Sequence, residues 1–126
     1  PHNVLLTTRG MVKLIDFGFG GRFGDLRCGY GTLGFMAPEL TPGDCQQSAL
    51  GPAVDWWAIG VTAYVMLQRE AHPDNVPLQE LLPIDAQTGR VREVPLDVPT
   101  DIQALILACL DRNPWQRWIR VRALLH

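Results

Sequence analysis

The sequence predicts a mainly α-helical domain that carries one small β-hairpin. Three observations predict it: two short runs of branched apolar residues near the start, a long apolar stretch near the middle, and apolar residues at helical spacing near the end. The chain has 126 residues, of which 47% are hydrophobic and 19% are charged. This composition is typical of one globular domain with its own core.

The first element is predicted to be a hairpin over residues 1–15. Residues 3–6 and 11–15 are the two apolar runs, and residues 7–10 separate them. Gly10 can adopt the positive φ angle that a tight turn requires. Residues 16–39 follow directly and are rich in glycine without a sustained period, which predicts a long loop.

Residues 52–68 are predicted to form the central helix. Pro52 suits the first position of a helix, and the apolar residues that follow it lie on every face. A helix of this kind must be surrounded by protein. The proline-punctuated stretch that follows predicts mostly loop, with one short helix at residues 78–82 and a turn at residues 87–90.

Residues 100–126 are predicted to contain the C-terminal helices. Thr100 and Gln103 form a capping-box pattern, and apolar residues then recur on one helix face as far as Leu110. Asn113 and Pro114 are predicted to end this helix and to start another turn. A final helix is predicted to begin near residue 121.

Charge and cysteine content exclude several classes of protein. The net charge of −2 and the pI near 5.9 provide no basic field for nucleic acid or an anionic membrane. The longest apolar stretch, residues 53–67, is too short to span a bilayer. Three cysteines without C-x-x-C spacing favour unpaired thiols in a reducing compartment over a disulfide framework or a zinc site. We therefore predict an intracellular protein, cytoplasmic or nuclear, with no membrane span and no nucleic-acid partner.

Five short motifs follow one another along the chain. They are Asn3, Asp16-Phe17-Gly18, Ala37-Pro38-Glu39, D-W-W-A-I-G at residues 55–60 and D-R-N-P-W-Q-R at residues 111–117. In this order they resemble the second half of a protein kinase catalytic domain, in which a catalytic loop that ends in Asn precedes D-F-G and A-P-E. The resemblance covers nearly the whole chain. It implies an incomplete C-terminal lobe, with the N-terminal lobe and the start of the C-terminal lobe absent.

The resemblance assigns catalytic and metal-binding roles to Asn3 and Asp16. Both match family positions that bind Mg²⁺, with ATP as the co-substrate, and Asn3 lies in a segment similar to P-x-N-[IVL]-L-[LIV]. Oxygen ligands suit this hard cation. Taken alone, Asp16 could equally be a turn-forming residue at the end of a strand.

Residues 31–39 resemble the peptide-docking end of the activation segment in Ser/Thr kinases, G-T-x-x-[YF]-x-A-P-E. The resemblance implies that Thr32 forms a hydrogen bond with the catalytic Asp and favours Ser/Thr substrates. The alternative is that Thr32 is an ordinary threonine in a glycine-rich turn. Cys28 lies four residues earlier, where many relatives carry a phosphorylated Thr. Because a thiol cannot take that modification, we predict that activity does not depend on phosphorylation there.

Three charged residues are predicted to have structural roles. The resemblance implies a buried ion pair between Glu39 and Arg117, and two unrelated surface charges are the alternative. It also implies that Asp55 accepts hydrogen bonds from the catalytic loop, although interaction with the helix dipole also explains this residue. Residues 54–61 most resemble the AGC branch of Ser/Thr kinases, whereas residues 31–36 depart from that branch.

The resemblance implies part of a Ser/Thr protein kinase that transfers the γ-phosphoryl group of ATP to protein hydroxyls. It places the catalytic Asp and the nucleotide-binding half before residue 1. We therefore predict that the isolated 126 residues are inactive and need the remainder of the kinase domain to fold. The alternative is a pseudokinase or a truncated protein-binding module, but a scaffold needs none of Asp16, Asn3 and Thr32.

Overall fold

The computed structural model describes residues 2–22, 24–43, 45, 50–71, 76–95 and 97–126, without the side chains of residues 70 and 71. Within these ranges the chain forms a two-stranded antiparallel hairpin, a 3-10 helix at Pro38–Leu40 and four α-helices. The strands are β1 (Val4–Leu6) and β2 (Val12–Leu14), and the helices are α1 (Ala53–Ala71), α2 (Leu78–Leu81), α3 (Thr100–Cys109) and α4 (Pro114–Leu125). The predicted fold class, mainly helical with a small hairpin, is confirmed.

The hairpin pairs Val4 with Leu14 and Leu6 with Val12. Its turn is closed by Thr7, whose carbonyl accepts a hydrogen bond from Gly10 N at 2.9 Å and whose hydroxyl accepts one from Met11 N at 3.0 Å. Gly10 has a φ angle of +77°, as the turn requires. All residues of both strands are exposed, so the hairpin does not pack into the core of the described residues.

The core lies where α1 packs against α3 and α4. Its buried residues include Trp57, Val61, Tyr64 and Val65 of α1, and Ile106 and Leu110 at the end of α3. The opposite side of α1 is open, because the side chains of Ile59 and Met66 are 50% and 62% exposed. The described part of the chain therefore encloses α1 on one side only. None of its helices combines the length and the apolar character that crossing a bilayer requires.

Gly60 permits the close approach of α1 to α3. A Cβ atom at this position would lie 2.5 Å from Cys109 Cβ and 3.3 Å from Leu110 Cδ2. We expect Gly60→Ala to force the two helices apart and to lower the free energy of unfolding by about 1–3 kcal/mol. Urea unfolding of the complete domain measures this loss, and Gly51→Ala is the control because a Cβ there meets nothing within 4 Å. Equal stability of the two variants would contradict the packing argument.

The start of α3 differs from the prediction. The predicted capping box of Thr100 and Gln103 is absent, because Pro99 is the N-cap and Thr100 is already helical. The side chain of Gln103 instead donates a hydrogen bond to the carbonyl of Val98 at 2.6 Å. A contact with the preceding loop thus replaces the reciprocal bond that the sequence pattern predicts.

The last helix also differs, because α4 begins at Pro114 and not near residue 121. The side chain of Asn113 accepts hydrogen bonds from Trp115 N at 3.0 Å and from Gln116 N at 3.1 Å. Asn at the N-cap followed by Pro at the first helical position is a favourable start for a helix. The pair therefore begins α4 rather than only ending α3.

The predicted turn at residues 87–90 lies between Ile84 and Val91, which pair as an isolated antiparallel bridge. The carboxylate of Asp85 accepts hydrogen bonds from Gln87 N at 3.0 Å and Thr88 N at 2.7 Å. The bonds from the backbone N–H and the hydroxyl of Thr88, and to a lesser extent the bond from Gln87 N, lower the pKa of Asp85. The Asp85 side chain therefore shapes this loop.

The prediction of three unpaired thiols is wrong for two of them. Cys28 and Cys45 form a disulfide, with their Cα atoms 5.9 Å apart and a sequence separation of 17. Cys109 is free and buried. The disulfide weakens the argument from cysteine content for a reducing compartment.

The thiol of Cys109 is expected to be unreactive in the native protein. Burial raises its pKa to about 11, so on the order of one thiol in a thousand is ionised at pH 8. We expect iodoacetamide to label Cys109 only when the domain unfolds, as measured by mass spectrometry of the peptide that contains it. Denaturant provides the positive control, and rapid labelling of the native protein would contradict the burial of this thiol.

Candidate active site

Asn3 and Asp16 meet at the open end of the hairpin. The backbone N–H of Ile15 donates a hydrogen bond to the carbonyl of Asn3 at 3.0 Å, which extends the ladder one step beyond the pair of Val4 and Leu14. Asp16 follows Ile15 directly. The hairpin therefore brings the backbones of the two predicted metal ligands close together, while their joint binding of one cation stays a prediction.

Asp16 adopts a backbone conformation that is unfavourable for most residues. Its φ angle is +61°. Among the residues that the structure describes, Asp16 is the only non-glycine residue with a positive φ angle. Such a conformation costs about 1–3 kcal/mol and occurs preferentially at functional sites. Asp16 Oδ1 accepts a hydrogen bond from Gly18 N at 3.3 Å, and the carboxylate is exposed to solvent. The local turn thus holds one oxygen of an accessible carboxylate.

Gly18 lies closely against this carboxylate. A Cβ atom at position 18 would lie 3.2 Å from Asp16 Oδ1, which is tighter than an ordinary van der Waals contact. A side chain here would press on the oxygen that the turn holds. The glycine of the D-F-G motif therefore leaves room for the Asp16 carboxylate in its observed orientation.

Several contacts join the loop after Asp16 to itself and to the helical part of the chain. The rings of Phe19 and Tyr30 lie 5.2 Å apart between centroids. Further along, Gly34 has a φ angle of +87°, and a Cβ atom there would lie 2.8 Å from Leu82 Cδ1. The end of the loop thus packs closely on the segment that follows α2. Thr32 is exposed between these contacts.

Glu39 and Arg117 form a buried, bidentate ion pair. Arg117 Nη1 donates to Glu39 Oε1 at 2.8 Å and Nη2 donates to Oε2 at 2.9 Å. The side chain of Glu39 is 5% exposed, and that of Arg117 is 0% exposed. Parallel bonds between a guanidinium and a carboxylate are among the strongest that proteins make. The pair joins the 3-10 helix at the end of the loop to α4, across 78 positions of sequence.

Arg117 also donates two hydrogen bonds to backbone carbonyls. Its Nη1 donates to the carbonyl of Ala53 at 3.1 Å and its Nε donates to the carbonyl of Asp111 at 3.1 Å. The guanidinium carbon lies 5.2 Å from the ring centroid of Trp57, a contact that the sequence pattern did not predict. Burial raises the pKa of Glu39 and lowers that of Arg117, while the charge of each partner acts in the opposite sense. Arg117 thus links the loop, α1 and α4.

The family to which the chain belongs follows from comparison with known proteins. The whole chain, residues 1–126, matches the model of the protein kinase domain. The chain belongs to the protein kinase family. The ordered motifs at Asn3, Asp16 and Glu39 are therefore motifs of a kinase domain, and membership implies ATP and typically Mg²⁺.

The curated relatives of the chain include serine/threonine-protein kinases. The chain is 34% identical over 121 residues to a probable serine/threonine-protein kinase of Dictyostelium discoideum, with 93% of this chain and 17% of that protein covered. It is 38% identical over 120 residues to the serine/threonine-protein kinase ppk25 of Schizosaccharomyces pombe, with 92% and 27% covered. It is 34% identical over 126 residues to mouse Aurora kinase B, with 93% and 33% covered.

The match to the protein kinase domain and the two relatives named as serine/threonine-protein kinases support a Ser/Thr kinase domain. The chain spans a third or less of the length of these three relatives. The AGC branch that residues 54–61 resemble stays a prediction.

Asp55 lies in the first turn of α1 in this kinase domain. Its side chain is exposed, although partial burial of the carboxyl group raises its pKa. A carboxylate in this position interacts favourably with the positive end of the helix dipole. The predicted hydrogen bonds from the catalytic loop stay a prediction, because the family pattern places that loop before Asn3.

Proposed function

We propose that the protein to which this chain belongs transfers the γ-phosphoryl group of ATP to Ser and Thr hydroxyls of other proteins. The observation that carries this proposal is made at the open end of the hairpin. There the backbone of Asn3 is hydrogen-bonded to Ile15, the residue before Asp16, and the Asp16 carboxylate is exposed. In this proposal both side chains bind Mg²⁺, which neutralises charge on the phosphates of ATP when it is bound.

The donor atoms of the two residues fit this cation. Mg²⁺ prefers oxygen ligands and is usually bound by one or two carboxylates together with substrate phosphates. Asp16 supplies a carboxylate and Asn3 an amide oxygen. The conformation of Asp16, with a φ angle of +61° and a bond from Gly18, orients the carboxylate before any ligand arrives.

The protein substrate is proposed to bind along residues 31–39. Thr32 is exposed in this segment, and the ion pair of Glu39 with Arg117 anchors the end of the segment. We assign to Thr32 a contact with the catalytic Asp that favours Ser and Thr over Tyr. Because the proposed co-substrate is ATP, we expect the protein to act inside the cell, in the cytoplasm or nucleus, on proteins rather than nucleic acids.

Transfer of labelled phosphate from MgATP to matched peptides with Ser, Thr or Tyr as acceptor tests the proposal in the intact protein. We expect phosphate on Ser and Thr but not on Tyr. Thr32→Val should lower the rate by about 10- to 100-fold, since it removes a hydrogen bond to a charged group. Thr8→Val, which changes an exposed threonine in the hairpin turn, is the control.

Two further results would contradict the proposal. Equal phosphorylation of Tyr peptides would contradict the role of Thr32. Absence of both phosphotransfer and Mg²⁺-dependent nucleotide binding would favour the alternative, a pseudokinase that acts as a protein-binding module.

A further inference from the structure

The disulfide between Cys28 and Cys45 lies within the proposed substrate-docking region. It closes a loop that contains Thr32 and the 3-10 helix at Pro38–Leu40. The two Cα atoms are 5.9 Å apart, within the range that a disulfide spans without backbone movement. The cross-link therefore joins the two ends of a loop that contains the segment to which a protein substrate is proposed to bind.

The backbone beside the disulfide is also paired. Gly29 N donates a hydrogen bond to the carbonyl of Leu40 at 2.8 Å. On the far side of the loop, Phe35 N donates to the carbonyl of Thr32 at 3.0 Å. The buried carboxylate of Glu39 holds one end of the loop to α4, whereas the Cys28 end has the disulfide and the bond from Gly29. The cross-link thus fixes the end that the ion pair does not hold.

The position of the disulfide leaves it open to reagents. Cys28 is exposed and Cys45 is half-buried, in contrast to the fully buried Cys109. Exposed disulfides are the labile ones, and they are often regulatory. The position of Cys28 is also one at which phosphorylation is impossible, so a cross-link provides a different means of ordering the same segment.

We propose that Cys28 and Cys45 form a redox-sensitive site that orders the docking segment when oxidised and releases it when reduced by a low-molecular-weight thiol such as glutathione. This inference rests on the proposed function only for its consequence on peptide binding. The cross-link and the order of the segment are independent of phosphotransfer.

Glutathione reduces the disulfide in two steps of thiol–disulfide exchange. A glutathione thiolate attacks Cys28 Sγ, the bond between the two cysteine sulfurs breaks, and Cys45 leaves as a thiolate that takes up a proton. A second glutathione thiolate attacks the glutathione sulfur of the mixed disulfide. Cys28 then leaves as a thiolate that takes up a proton, and the two glutathione sulfurs are joined in oxidised glutathione. The reverse sequence uses oxidised glutathione as the oxidant.

Reduction should release the loop without unfolding the helical core. Closing a loop of this length removes conformational freedom from the open chain, so opening the cross-link raises the population of disordered conformations. The amides of Gly29 and Phe35 should then exchange with solvent faster. Amides of α3, which are held by the core, should not change.

The first test follows the cross-link in the complete protein. The protein is equilibrated in buffers of different ratios of reduced to oxidised glutathione, its free thiols are alkylated, and its peptides are identified by mass spectrometry. We expect the peptides of Cys28 and Cys45 to be joined in oxidising buffer and separately alkylated in reducing buffer. Alkylation of both cysteines at every ratio would overturn the proposal.

The second test follows hydrogen exchange of the segment that contains Gly29 and Phe35. We expect reduction to accelerate its exchange by about tenfold or more. Cys45→Ser should exchange at the fast rate in either buffer, and Cys109→Ala should respond as the unsubstituted protein does. Exchange that is the same in both buffers, with the cross-link present in one of them, would overturn the role in ordering the segment.

A kinetic measurement separates this inference from the proposed function. We expect reduction to raise KM for a peptide substrate while KM for ATP stays the same. Redox-dependent exchange in a protein that phosphorylates no peptide would support the redox site and contradict the proposed function. An unchanged KM for the peptide in an active protein would overturn the effect of the disulfide on docking.

Discussion

Replacing Asp16 by Asn in the intact protein is expected to lower the rate of peptide phosphorylation by on the order of 10²- to 10³-fold or more. Asn has nearly the same shape as Asp and also tolerates a positive φ angle, so the backbone at +61° should be preserved. The substitution removes the negative charge that is proposed to bind Mg²⁺. The expected loss therefore measures the charge and not the fold.

The measurement is the steady-state rate with MgATP, together with the affinity for Mg²⁺ and nucleotide. Asp25→Asn is the matched control, because Asp25 is another exposed aspartate of the same loop and should have little effect. Thermal unfolding of both variants checks that the fold is retained. A rate for Asp16→Asn within about threefold of the unsubstituted protein would contradict the metal-binding role.

Local chemistry made the hairpin and the central helix predictable. Gly10 lies between two apolar runs and has the positive φ angle that the turn requires. The apolar stretch after Pro52 forms α1, although its helix extends to Ala71. These elements depend on neighbours in sequence, so the pattern of residue types is sufficient to predict them.

Contacts between distant residues were less predictable. The pairing of Glu39 with Arg117 was expected only from the family resemblance, since nothing in the spacing of two charges 78 positions apart indicates a contact. The disulfide between Cys28 and Cys45 depends on how the loop returns to the 3-10 helix, which the spacing of three cysteines does not show.

The close approach at Gly60 depends on which face of α3 meets α1. The sequence places Gly60 inside the predicted central helix. Glycine within a helix lowers the stability of the helix and often has a packing reason. That signal identifies the position but not the partner.

The errors at the helix ends have a common cause. Thr100 with Gln103 and Asn113 with Pro114 are both recognised signals at helix ends, but each admits more than one hydrogen-bond arrangement. Gln103 bonds to Val98 in the preceding loop, and Asn113 bonds forward to the first amides of α4. The choice is made by the loop conformation around each signal, which the pattern does not contain.

The second large effect is expected at the ion pair of Glu39 and Arg117. Arg117→Met keeps a long apolar side chain against Trp57 but leaves the Glu39 carboxylate buried without its partner. Removing one partner of a buried pair costs about 3–5 kcal/mol of the free energy of unfolding. Glu39→Gln is expected to destabilise for the same reason, because it leaves the guanidinium charge buried. Urea unfolding of the complete kinase domain measures both losses.

The double variant separates the pair from the other contacts of Arg117. Because Arg117 also binds the carbonyls of Ala53 and Asp111, part of its loss is independent of Glu39. We expect the double variant to lose less than the sum of the two single losses, since neither charge is then left unpaired. Arg120→Met is the matched control: its ion pair with Asp111 has an arginine side chain that is 52% exposed, so it should cost less than about 1 kcal/mol. Losses at Glu39 and Arg117 that add within about 0.5 kcal/mol would show that the two charges act independently.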